Sequence, residues 1–184
     1  MTPTTRAAST EPADLDSEFL SSLTQGETRK ALLAALVELL EAERTCARVA
    51  QQVAREIVEP ELAALVQDIH KDEVHCWGML SRTIQSLQTT PSTATGAFWG
   101  MAVAIPDVAD RLRFLNRSQA WVVRKLQALL PCVEDVAVRS ELDKMLQAHH
   151  QNISRLEARL ASCRSSTMLQ SAWPTTPVDH IEQA

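Results

Sequence analysis

The stretch IHKDEVHCWGML, residues 69–80, sets two acids, two histidines and a cysteine among residues spaced like the buried stripe of a helix. Carboxylate, imidazole and thiol are the side chains that hold divalent transition-metal cations. Which of them face inward decides between a metal site and an ordinary polar helix face. The same question arises in three other apolar series. In the series 33, 36, 40, 43, 47, 50 the polar member is Glu43. In 62, 65, 69, 73, 76, 80 the exceptions are Glu73 and Cys76. Gln119 interrupts 108, 112, 115, 119, 122, 126, and His149 interrupts 142, 145, 149, 153, 156, with Asn152 beside it. A 3–4 spacing marks one face of a helix, so these polar residues are expected inside.

They are also expected at one height. Residues 43 and 73 stand at equal distances from a turn near 58, and residues 119 and 149 from a turn near Glu134. A polar layer should therefore cross the middle of the molecule. Burying a carboxylate is costly unless it is paired, protonated or bound to a cation. One divalent ion (Fe, Mn or Zn) held by Glu43, Glu73 and His149, with Gln119 and Cys76 in the same layer, would compensate for two facing carboxylates. Hydrogen bonds from Gln119, His149 and Asn152, with a proton shared between the glutamates, would do so without metal. Arg44 or Arg48 folded inward is a third solution.

Four long helices must position this layer. The first is expected over about Glu27–Val58, after a lead-in helix near Ser17–Thr24. Pro60 suits the first turn of the second, which runs to about Leu87. The segment TTPSTATG, residues 89–96, breaks the pattern, and the apolar link AFWGMAVAI follows. Pro106-Asp107 opens the third helix, Pro131 ends it, and the fourth runs to about Arg164. Two helical hairpins joined by a longer link describe an all-α, antiparallel four-helix bundle of the ferritin-like kind over residues 17–164. A coiled-coil or spectrin-like bundle is the alternative, and the long middle link argues against it. Residues 1–16 are expected to be disordered and 165–184 to form a tail in which Trp173 is available for docking.

The motifs also carry a resemblance. DEVHCWGML is similar to the DE-x-x-H segment of rubrerythrin-like proteins, and the layout resembles the ferritin-like superfamily. EAER, DEVHC, FLNRSQAWVVRKL and HHQNI together resemble a bacterial ferritin-like family of uncharacterised function. The resemblance covers about residues 27–164. It implies that Glu43 and Glu73 match the carboxylates of the first two helices. Cys76 then stands in place of a histidine, Gln119 in place of a glutamate, and His149 with Asn152 in place of Glu-x-x-His. A di-iron centre needs about four carboxylates, so no such centre is expected. A single ion held by Glu43, Glu73 and His149 is the metal site that remains chemically sensible beside the metal-free network.

The remaining residues narrow the class. The 184 residues are 45% hydrophobic, with only 4 Gly and no Tyr, which favours an all-helical chain of one domain. A net charge of −5 gives no reason to expect nucleic acid, and no apolar run is long enough to span a membrane. The N-terminus has no secretory pattern, so four cysteines read as reduced thiols in the cytoplasm. Asp72 and His75 are expected on the outer side of their helix with Asp68 and Met79, and His70 at the core edge opposite Cys46. Arg111, Arg113, Arg117, Arg124 and Lys125 are expected as a basic outer face, solvated or paired with acidic neighbours such as Glu141 and Asp143. Phe98, Trp99 and Trp173 leave apolar surface for a homodimer. The function expected is redox or metal handling. The alternative is a non-catalytic interaction protein whose polar layer sets helix register. No substrate is identified.

Overall fold

The computed structural model describes residues 25–95 and 98–171. Among the described residues all regular structure is helical. The elements are α1 (Gln25–Glu56), α2 (Pro60–Ser86), the short α3 (Phe98–Val103), α4 (Val108–Leu129), a 3₁₀ turn (Leu130–Cys132) and α5 (Val136–Ser171). The expected disordered segment, the lead-in helix and Trp173 lie outside the described residues. Two boundaries differ from expectation. The middle link contains a helical turn, α3, and α5 continues to Ser171, so residues 165–171 are helical and not part of an unstructured tail.

Local chemistry explains where the helices start and stop. The Glu59 carboxylate accepts the free N–H groups of Glu61 and Leu62 at 3.0 and 2.8 Å, and Pro60 sits in the first turn, where no N–H is needed. Asp107 caps α4 by accepting from Asp110 N at 2.8 Å. Pro131 falls in the 3₁₀ turn, and Asp135 opens α5 by accepting from Ala137 N and Val138 N. Gln88 turns the chain out of α2 with a left-handed φ of 58°.

The helices pack α1 on α2, α2 on α5, α5 on α4 and α4 on α1, while α3 lies against α1 and α4. Their apolar faces form two separate clusters. Leu36, Leu40, Leu80, Ile84, Leu126 and Leu142 build the first; Val53, Val66, Ile69, Leu112, Leu115 and Leu156 build the second. Along each long helix one polar residue marks the switch from one cluster to the other: Glu43, Glu73, Gln119 and His149, all fully buried. The order of the clusters reverses between α1 and α2, and again between α4 and α5, so the chain doubles back in each pair. No described helix is long and apolar enough to cross a membrane.

The aromatic link residues turn towards their own chain. Phe98 packs edge-on against Phe114 and Trp121, and Arg48 covers the Trp99 ring at 4.5 Å.

Candidate metal centre

Glu43 on α1, Glu73 on α2 and His149 on α5 meet between the two apolar clusters. Each has no solvent exposure. One potential ligand atom from each lies within 4.8 Å of the others. His149 Nε2 is 3.1 Å from Glu43 Oε1, a hydrogen bond that a neutral ring makes by carrying its proton on Nε2. Nδ1 then faces Glu73 Oε1 at 3.9 Å with no hydrogen-bond partner. Neither oxygen of Glu73 nor Oε2 of Glu43 has a donor.

Burial sets the protonation of this group. It pushes the Glu43 carboxyl up to about 8, an effect partly offset by the neighbouring Glu73 carboxyl. Burial also pushes the Glu73 carboxyl well above the usual carboxylate range, and the neighbouring Glu43 charge adds to it. Both carboxyls are thereby driven towards their protonated forms. Burial lowers the His149 pKa and keeps the ring neutral. Burial thus favours protonated carboxyls and a neutral ring, and a cation bound there would displace protons.

The other residues singled out in the sequence divide. Gln119 is fully buried on α4, with both amide atoms lacking a hydrogen-bond partner. Cys76 is buried one turn beyond Glu73; burial and then the Glu43 and Glu73 charges keep its thiol protonated. Cys46, one turn beyond Glu43, is held in the same way and belongs to this neighbourhood. Its position three residues after Glu43, on the same side of the helix, was the available signal. His70 makes its contact elsewhere, its Nδ1 lying 2.9 Å from the Ala47 carbonyl.

Several outward expectations are corrected. Asp72 is half-buried and accepts from Asn152 Nδ2 at 3.0 Å, because α5 lies against that side of α2. Met79 is buried for the same reason, whereas His75 is exposed. Arg44 does not fold inward: it lies over Trp77 at 5.0 Å and donates to the Ala94 carbonyl. With Arg48 engaged on Trp99, neither arginine compensates the buried acids. Arg111, expected outside, is buried and paired with Glu56. Arg113 pairs with Asp110 and Lys125 with Glu38, while Arg117 covers Phe114; Glu141, expected as a partner of this face, pairs with Lys144 on its own helix.

The family model described as Domain of unknown function (DUF6306) matches residues 30–158, a span that holds Glu43, Glu73, Gln119 and His149. The chain belongs to the DUF6306 family. No curated protein matches it. Two solved structures are similar to this DUF6306 chain. A conserved hypothetical protein, rv2844, from Mycobacterium tuberculosis has 19% identity and a TM-score of 0.63, with 82% of this chain and 99% of that one covered. A protein from Xanthomonas campestris pv. campestris has 15% identity and a TM-score of 0.69, with 79% and 99% covered. At these identities the likeness shows a shared helical fold alone.

Proposed function

We propose that this DUF6306 chain is a ferritin-like antiparallel four-helix bundle, formed by α1, α2, α4 and α5, that binds one divalent metal ion for redox or metal handling. The observation that carries the reading is the sealed Glu43–Glu73–His149 group, where two carboxylates and an imidazole leave lone pairs without donors. Two carboxylates and one imidazole suit Fe(II), Mn(II) or Zn(II). Atoms bound to one such ion at about 2.0–2.2 Å lie at most about 4.4 Å apart, so the three groups need only a small contraction. His149 Nδ1, unpartnered and facing Glu73, is the nitrogen best positioned to ligate. The layer offers Gln119 where a third carboxylate would be needed, which favours a single ion over a di-iron pair. The free thiols of Cys46, Cys76 and Cys132 fit a reducing compartment such as the cytoplasm.

The experiment is elemental analysis of protein purified without chelator, comparing wild type with Glu43→Ala. One ion of Fe, Mn or Zn per wild-type chain, lost in the variant, is the expected result. Metal-free wild type, or equal content in both proteins, would reject the reading. A second reading has its own support: the His149–Glu43 hydrogen bond and a proton shared by the glutamates can hold the layer together without metal. The protein would then be a scaffold whose buried polar groups set helix register.

A further inference from the structure

The three ligand-bearing side chains have no exposure, so an ion needs a way in. A cavity of about 220 Å³ lies between α2 and α5, and its wall includes Asp72, Cys76, Met145 and Ala148. Asp72 is the chain neighbour of Glu73 and Ala148 that of His149, while Cys76 follows Glu73 by one helical turn. The wall of this cavity is therefore built from residues that adjoin the candidate ligands. The negative charge of Asp72 is felt at both Glu73 and His149, and Cys76 feels the charges of both glutamates.

The cavity also has a mouth that suits a cation. His75 and Lys144 there are exposed, and Glu141 is paired with Lys144 at 2.6 Å. With that ion pair cancelling, the net negative charge comes from Asp72, half-buried and pinned by Asn152 across the α2–α5 seam. A second cavity, between α4 and α5, has Arg113, Arg117 and Glu157 in its wall, and none of its wall residues is a chain neighbour of Glu43, Glu73 or His149.

We propose that a divalent cation reaches the Glu43–Glu73–His149 site through the α2–α5 cavity, with Asp72 as the carboxylate that passes it from the mouth to Glu73. This rests on the metal-binding reading and adds the route and the residue that controls it. The shape of the path is consistent with the direction of charge: an exposed imidazole at the mouth, one half-buried carboxylate on the way, and two fully buried carboxylates at the end.

The test is Co(II) uptake by the metal-free full-length protein, followed by stopped-flow through the visible absorption of bound Co(II). Asp72→Asn keeps the shape of the side chain and removes its charge. Uptake should slow by about tenfold, the low end of the rate gain given by a charge-lined cleft. Lys144→Gln, on the surface, removes the positive charge at the mouth and should speed uptake. Ala148→Leu narrows the cavity and should slow uptake while leaving the final Co(II) content unchanged. Ala120→Leu, in the wall of the second cavity, is the control and should load at the wild-type rate. An unchanged rate in Asp72→Asn, or an equal slowing in Ala120→Leu, overturns the route while the site itself stands. A wild-type chain that takes up no Co(II) at equilibrium overturns the metal reading, and the route falls with it.

Discussion

Glu43 links burial to a measurable pH dependence. An unfolded chain releases this proton near 4.5, whereas the folded metal-free chain holds it up to about 8. Between those values the folded state binds more protons, so its stability falls as pH rises through the window and levels off above it. Glu73 is pushed the same way by burial and by Glu43, which extends the fall. Glu56 and Asp68, held low by Arg111 and Lys71, act in the opposite sense at more acid pH. His149, lowered by burial, does so below its ordinary value of 6.5, so the decline belongs to the range above that. Denaturant curves of the metal-free protein from about pH 5 to 9, a span set by ordinary and raised carboxyl pKa values, should show this decline. The double replacement Glu43→Gln/Glu73→Gln should flatten it, because neutral amides do not ionise. A wild-type protein with pH-flat stability across this span would contradict the raised carboxyls.

Helix ends carry stability at the next scale up. Asp107 caps the first turn of α4 by accepting the N–H of Asp110. Asp107→Ala should lower the unfolding free energy by about 1 kcal/mol, the usual loss for an N-cap, read as a shift in urea midpoint with unchanged slope. Pattern reading located this cap and the Pro60 start correctly, since both depend on neighbours in the chain. It misplaced Arg111. An arginine next to a hydrophobic stripe reads as outward, yet Arg111 is buried because the end of α1 brings Glu56 to meet its guanidinium. Met79 and Asp72 were misplaced for a related reason: α2 is covered by α1 on one side and by α5 on another, which widens its buried face beyond a single stripe.

The polar layer divides the core into two apolar clusters, so anything that binds in the layer ties both halves together. Saturating metal should therefore raise the melting temperature of the whole molecule. At about 100 times its Kd an ion adds about 2.7 kcal/mol to the folded state, and Mn(II) or Zn(II) titrations followed by thermal melts would measure it. An unchanged melting temperature would favour the scaffold reading. A homodimer is expected as well. Phe98 and Trp99 are engaged within the chain, so the remaining apolar surface on α3 is Met101 and Val103, each about half exposed. Sedimentation at micromolar concentration should give a dimer that Met101→Glu weakens; a monomer would count against it.

Four things were determined by the sequence alone: helical class, the positions of the long helices, the depth of Glu43, Glu73, Gln119 and His149, and their common height. Each follows from periodicity and from the distance to a turn, which are local properties of a chain. The tertiary structure decided which buried polar groups touch. It brought His149 to Glu43 at 3.1 Å, left the Gln119 amide without a partner, drew Cys46 into the field of both carboxylates and turned Arg44 and Arg48 away onto tryptophan rings. Those outcomes depend on the rotation of each helix about its axis and on which neighbour covers which side. Both are set by packing between segments far apart in the chain, where no local spacing rule applies.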